Sequence, residues 1–338
     1  MTDSVVVLAG GVGGSRFVLG LRDALARRPG AEITVIANTG DDLWLSGVRL
    51  QPDVDSMLYA LAGVNDAERG WGRAGESSRA WEEVAAFGAG WPWFTLGDLD
   101  LGTHLARTGW LREGVPLGEV VARLAARWDL GGVRILPMTE SEVDTRVIVD
   151  GPDGVDGSSG EQELHFEEWW VRHRAALPAR RFLNPGIESA VPAPGVLEAI
   201  ADADRVILAP SNPVVSIGPI LAVPGIRDAV RNAPGRVVGV SPIIGGAVVR
   251  GMADACLTAI GVETAADAVG LHYGARAHGG LLDAWLIGEE DAALAESLRA
   301  AGLTTVVTPL WMRDAHSSAS LALAALDPFS GQTPRSQA

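Results

Sequence analysis

The chain has 338 residues, a formal net charge of −15, 47% hydrophobic and 20% charged residues. That is the balance of a globular chain with room for one or two domains and no broad basic face for a nucleic-acid backbone. All 27 basic residues are arginine, which excludes Schiff-base, pyridoxal-phosphate and phosphate-loop lysine chemistry.

Cys256 is the one cysteine, so neither an internal disulfide nor a thiolate metal site is expected. No signal peptide pattern opens the sequence, and no window reaches the ~18 apolar residues of a membrane span. A cytoplasmic protein without a membrane partner is expected.

In chain order, Val5–Ala9 reads as a short apolar strand. It runs into the turn Gly10-Gly11-Val12-Gly13-Gly14-Ser15-Arg16, and a helix is predicted over Phe17–Ala26. Clustered glycines before a helix start gather N–H groups and a positive dipole end, a fit for phosphate. A second apolar strand, Glu32–Ala37, completes a βαβ unit and ends in Asn38-Thr39-Gly40-Asp41-Asp42. Residues 53–63 read as a helix after Pro52, with Asp53 or its neighbour near the N-cap.

Residues 65–130 read as a largely helical insertion, with helices near 76–87, 100–108 and 116–128. Within it, Leu96-Gly97-Asp98-Leu99-Asp100 leads to Thr103-His104, with Asp100 placed to cap. Strands resume at Val133–Leu136 and Thr145–Val149, and Gly151–Gly160 reads as an exposed, mobile loop. Further strands are predicted at Arg205–Ala209, Arg236–Ser241, Ala284–Ile287 and Thr304–Thr308. Helices are predicted near 225–231, 264–276, 290–301 and 317–326. The expected fold is α/β: a doubly wound, mostly parallel, Rossmann-like sheet over 1–328, followed by a disordered tail at 329–338.

Several polar turns follow strands: Gly10–Ser15, Asn38–Asp42, Pro210-Ser211-Asn212-Pro213, and Ser241–Gly246 with its glycine pair at Gly245. In a doubly wound sheet such turns converge on one crevice. A nicotinamide dinucleotide fingerprint fits poorly, because Arg16 stands where its third glycine belongs and no acid ends the second strand.

Asp41, Asp42, Asp53 and Asp55 bracket the crevice instead. Carboxylates beside a diphosphate call for a hard cation such as Mg²⁺, and one of them could deprotonate a hydroxyl. Asp41, Asp42 and Asp53 are the candidate metal ligands, and Asp53 and Asp55 the candidate catalytic residues. The tryptophans (Trp44, Trp71, Trp91, Trp93, Trp110, Trp169, Trp170) are expected mostly in the core, some of them free to stack on a flat ligand.

Taken together, the turn Ala9–Gly14, Asn38–Trp44, Pro52–Tyr59, Leu96-Gly97-Asp98, Thr103-His104, Ile135–Thr139, Ala209–Pro213, Ser216–Ile220 and Val240–Gly245 resemble the 2-phospho-L-lactate transferase family of coenzyme F-420 biosynthesis. The resemblance runs from Val5 to Leu326. It implies transfer of a phospholactyl group, or a phosphoenolpyruvyl group in actinobacterial members, from a guanosine diphosphate conjugate. The acceptor it implies is the ribityl hydroxyl of the deazaflavin Fo, with release of GMP, a requirement for Mg²⁺ and a homodimer.

Carried over, Asp55 and Thr95 match Fo-binding positions, with Asp98 and His104 beside them. The glycine turn Gly10, Gly11, Gly13 and Gly14 and the turn Ser211, Asn212 and Pro213 match the guanosine diphosphate side, and Asn38 and Gly245 are further candidate substrate-binding residues. The sequence departs from the family at Leu99, where arginine is common. Two other readings share parts of the pattern. One is a nucleotide-sugar-binding regulator of the gluconeogenesis-factor type; the other is an NAD-dependent dehydrogenase.

Overall fold

A run such as Val5-Val6-Val7-Leu8-Ala9 has no polar face, so it is stable only where both faces are covered, as in a parallel sheet flanked by helices. The computed structural model, which describes residues 3–26, 28, 30–153 and 159–329, places it at the centre of such a sheet. The strands are β1 (Ser4–Ala9), β2 (Glu32–Ala37), β3 (Val133–Pro137), β4 (Arg205–Leu208), β5 (Arg236–Val240), β6 (Ala284–Ile287) and β7 (Thr304–Val307). Their order is β3-β2-β1-β4-β5-β6-β7, and every pairing is parallel.

Alternate residues of β1 feed two different cores, Val5, Val7 and Ala9 on one face and Val6 and Leu8 on the other. The strand order reverses between β1 and β4. The carboxyl ends of these two strands therefore border the crevice where ligands bind in open α/β sheets.

Helix α1 (Gly11–Leu25) follows β1 directly. It starts six residues before the predicted Phe17, because the glycine turn is itself the first turn of the helix. Helix α2 (Pro52–Leu61) has Pro52 in its first turn and Gln51 as N-cap, so Asp53 does not cap its own helix.

The 65–130 stretch holds α3 (Arg79–Ala86), α4 (Asp98–Arg112) and α5 (Leu117–Ala125), with irregular chain between them. Gly97, not Asp100, is the N-cap of α4. The strand expected at Thr145–Val149 is present as Arg146–Asp153, but the sheet it belongs to was not foreseen. Strands Arg146–Asp153, Ser159–His165 and Ala179–Leu183 form a separate antiparallel sheet. Its central strand runs through 151–153 and one edge strand begins at 159–160, which corrects the expected loop there; residues 154–158 lie outside the described residues.

Three short helices also went unpredicted, Val196–Ala201, Ile217–Ala222 and Ala253–Ala259. The second contains Gly218 and Pro219, residues that read as a break. Of the expected tail, Phe329 packs against the core beneath the Arg236 guanidinium, 5.1 Å from its ring, and 330–338 lie outside the described residues. Among the described residues no helix is long and apolar enough to cross a membrane.

Candidate active site

A cavity of about 830 Å³ opens at the carboxyl ends of β1 and β4, within the size of small-molecule sites. One wall is the start of α1. Gly13 approaches the β4 turn so closely that an added Cβ would lie 2.5 Å from the Pro210 carbonyl oxygen. Ser211 ties the two turns together, its hydroxyl accepting from the Gly10 N–H at 3.1 Å and donating to the Gly10 carbonyl at 2.7 Å. Val12 and Gly13, in a first helical turn whose N–H groups have no intrahelical acceptor, line the cavity.

The mouth of this helix already faces a carboxylate. Asp53 accepts from the Gly11 N–H at 2.7 Å and from the Asn38 side-chain amide at 2.8 Å. An alanine Cβ at Gly10 would sit 2.2 Å from Asp53 Oδ2 and 2.8 Å from Ser216 Cβ. Gly10→Ala is therefore expected to displace Asp53 and to destabilise by about 1–3 kcal/mol. Activity should fall more than stability does, a comparison that thermal melting and turnover would make. Unchanged turnover would show that this contact is dispensable.

Asp41 and Glu167 stand beside Asp53 on the cavity wall, all three buried. Burial and the neighbouring carboxylates Asp53, Glu167 and Asp42 hold the Asp41 carboxyl well above its usual range. Burial pushes Asp53 up to about 6, and burial with the Asp53 charge pushes Glu167 up to about 8. No arginine is ion-paired to any of the three among the described residues, and Asp41 Oδ1 is buried without a partner. A hard oxygen-seeking cation is the natural complement of such a donor set.

Asp42 belongs to a different environment. Its carboxylate accepts from the Gln51 amide at 2.6 Å and lies 3.6 Å from Arg49, behind the wall. Burial nevertheless pushes it up to about 8. The structure thus separates Asp42 from the Asp41–Asp53 pair with which the sequence grouped it.

The opposite wall is a buried polar chain on α2 and α4. Arg107, 0% exposed, bonds Asp55 through Nη2, and its Nη1 lies 3.0 Å from His104 Nδ1 and 3.2 Å from the Arg49 carbonyl. Asp100 accepts from the Tyr59 hydroxyl at 2.6 Å and lies 3.4 Å from His104 Nε2. The ligand-type atoms of Asp55, Asp100 and His104 fall within 4.8 Å of one another. Among the described residues no other three such groups come that close, and the permanent charge of Arg107 on Asp55 opposes a cation there.

Of the residues expected at the site, Gly10, Gly11, Gly13, Asp41, Asp53, Asp55, Thr95, His104, Ser211 and Asn212 line the cavity. Gly14, Asn38, Pro213 and Gly245 lie off it. Gly14 packs on Ala9 and Ser211, Asn38 holds Asp53 and Val215, and the Gly245 N–H donates to Asp291 at 2.9 Å. Asp98 also lies off the wall, its carboxylate taken by the Ser77 hydroxyl and the Ala80 N–H. Leu99 is exposed and outside the cavity.

Glu167 and Arg107 were not singled out from sequence, Asp100 was read only as a helix cap and Tyr59 only as the end of the Pro52–Tyr59 stretch. Arg107 was within reach, since Asp100, His104 and Arg107 share one helical face by their spacing. Glu167 carried no signal; it is the helical residue at the N-cap of a π-helical turn, Glu168–Arg172, that swings Trp170 onto the cavity. The tryptophans also depart from expectation. Trp71, Trp93, Trp170 and Trp311 line the cavity, and Trp44 and Trp71 are exposed.

Four arginines, Arg16, Arg174, Arg250 and Arg313, reach the rim, none ion-paired to a carboxylate among the described residues. In a chain of charge −15, unpaired guanidinium groups collected on one cavity favour a polyanionic guest.

Comparison with known proteins agrees with this geometry. The solved structures of protein BH3568 from Bacillus halodurans, one described as a member of the upf0052 family, share the fold with TM-scores of 0.60 and 0.59 at 21% and 20% identity. They cover 96% of this chain and 100% and 99% of their own chains. The phosphoenolpyruvate transferase of Thermobifida fusca (strain YX) is 52% identical over 328 residues, 96% of this chain and 97% of the relative. That of Nocardia farcinica (strain IFM 10152) is 50% identical over 324 residues, 96% and 94% of the two chains. These relatives favour a transferase over the regulator and dehydrogenase readings. The family model for 2-phospho-L-lactate transferase CofD matches residues 5–312, and with nearly the whole chain matched, this protein is a transferase belonging to that family.

Proposed function

We propose that the chain transfers a phosphoenolpyruvyl group from a guanosine diphosphate conjugate to the terminal ribityl hydroxyl of the deazaflavin Fo, releasing GMP, as a step of coenzyme F-420 formation. The observation that carries this reading is the pairing of two unlike walls across one cavity. A helix start with a cluster of cation-seeking carboxylates faces Asp55 and His104, with aromatic rings above them. The relatives named phosphoenolpyruvate transferase favour the three-carbon enol donor over 2-phospho-L-lactate.

Val12, Gly13 and the rim arginines take the phosphates of the donor, and Ser211 and Asn212 border the nucleotide. Trp71, Trp93 and Phe94 flank the side where Thr95 and Asp55 receive the flat deazaflavin. Asp55 then takes the proton of the ribityl hydroxyl. The hydroxyl oxygen bonds to the phosphorus bearing the three-carbon group, and the bond from that phosphorus to the GMP oxygen breaks, its electron pair leaving with GMP. Mg²⁺, held by Asp41 and Asp53 with Glu167 adjacent, would neutralise phosphate charge when bound. The same reading includes a homodimer in the cytoplasm.

Mixing the protein with Fo, Mg²⁺ and the donor is expected to yield GMP and the phosphoenolpyruvyl product, read by mass, with neither formed when Fo is omitted. A competition with the phospholactyl conjugate measures the donor preference. No GMP from either donor, together with tight NAD or nucleotide-sugar binding, would overturn the reading.

A further inference from the structure

His104 is held between opposite charges. On its Nδ1 side stands the Arg107 guanidinium, at 3.0 Å and fully buried. On its Nε2 side stands the Asp100 carboxylate, at 3.4 Å. A guanidinium has only N–H donors and keeps its proton. At 3.0 Å an N–H on Nδ1 would oppose the N–H of Arg107, so Nδ1 must present its lone pair. The 3.6 Å separation of Nδ1 from Asp55 Oδ2 is the weaker of the two contacts. Arg107 is itself fixed by Asp55 and the Arg49 carbonyl, so it cannot turn away.

We infer that Arg107 locks His104 as the neutral Nε2–H tautomer, making His104 a hydrogen-bond donor to the acceptor hydroxyl instead of a proton acceptor. On the two residues of this wall that line the cavity, two buried polar atoms have no hydrogen-bond partner, His104 Nε2 and Asp55 Oδ2; Arg107 Nε is a further one, on a residue off the cavity. Asp100 is too far from Nε2 for a good hydrogen bond and is already engaged by Tyr59 at 2.6 Å. Of the two orphans on the cavity, one is a donor and the other an acceptor. A hydroxyl group is both, so one alcohol oxygen can accept from Nε2–H while its proton points to Asp55. That pair reads an alcohol and rejects a phosphate or carboxylate, which would satisfy His104 but repel Asp55. Arg107 touches no substrate in this arrangement; it is a positioning residue.

The inference rests on the proposed acceptor for its chemical meaning, but its first test does not. In protein carrying nitrogen-15 histidine, the His104 resonances, assigned by difference with the His104→Gln chain or the His104→Leu chain, are expected at neutral pH to show a pyridine-type Nδ1 and a pyrrole-type Nε2. Arg107→Lys, which keeps a donor at that place, is expected to retain this signature, and Arg107→Met to lose it. An imidazolium, or the Nδ1–H tautomer, in the wild-type chain would overturn the inference whatever the substrates prove to be.

The kinetic test uses Fo and the donor. His104→Gln still offers an amide N–H but no base, and is expected to keep kcat within about tenfold. His104→Leu offers neither and is expected to lose about 100-fold or more. Equal losses in both folded variants would make His104 a proton acceptor. Absence of GMP from the wild-type chain would sink the transferase reading and leave the tautomer to the spectra.

Discussion

Asp55→Asn is expected to lower turnover with Fo and the guanosine diphosphate conjugate by about 10²–10⁴-fold, the range of a lost general base, while donor binding and the fold persist. The choice of asparagine follows from what lies beneath. Asp55 is the carboxylate partner of Arg107, which is 0% exposed. Alanine, the obvious choice from sequence, would leave a buried guanidinium uncompensated, at a cost of about 3–5 kcal/mol. For a chain of this size that corresponds to a melting point lower by roughly 4–7 °C. Lost activity in the alanine variant would then confound chemistry with unfolding.

Asparagine also removes the charge, but it keeps the volume and one acceptor oxygen for Arg107, so it costs less than alanine, and it cannot take a proton. GMP release and thermal melting, measured together on both variants, separate the two effects. Transfer by Asp55→Asn at the wild-type rate would remove Asp55 from the proton step.

The sheet was legible because each of its strands is a short apolar run, and burial on both faces leaves no other use for such runs. Glu32–Ala37 and Ala284–Ile287 match to the residue. Of the antiparallel sheet only the first strand was legible, expected at Thr145–Val149 and found at Arg146–Asp153. Its strands carry alternating charged side chains such as Arg146, Glu161 and Arg181 and obtain their apolar contacts from a small cluster around Trp169. Nothing local distinguishes the other two from loop.

The site was legible in its turns and less so in its depth. Gly10–Gly13, Asp41, Asp53 and Asp55 carry recognisable chemistry at strand ends or helix starts. Whether a carboxylate faces the cavity depends on partners far along the chain. Asp42 is turned inward by Gln51 and Arg49, and Asp98 is claimed by Ser77. Glu167 reaches Asp53 across more than a hundred residues. Only the folded chain brings that third acid into the group.

That acid group sets the pH response of the protein. A carboxyl with a higher proton affinity in the folded chain than in the unfolded one supports folding only while the unfolded form is still protonated. The contribution is lost as pH rises from the ordinary carboxyl value to the folded one. For Glu167 and Asp42 the window runs from about 4 to about 8, and for Asp53 it closes near 6. A tenfold difference in proton affinity is about 1.4 kcal/mol, so one such group suffices for a visible change.

Metal-free protein is therefore expected to melt at a lower temperature at pH 8 than at pH 5. Mg²⁺ competes with protons for the same oxygens, so its stabilisation should grow with pH. At 100 times its Kd a ligand adds about 2.7 kcal/mol, roughly 4 °C here. Asp41→Asn is expected to abolish that gain, and His104→Gln to leave it in place, because the Asp55–His104 wall already holds the Arg107 cation. A melting temperature that rises from pH 5 to pH 8 without metal would contradict the raised proton affinities. A gain from Mg²⁺ that survives Asp41→Asn but disappears in His104→Gln would move the cation to the opposite wall.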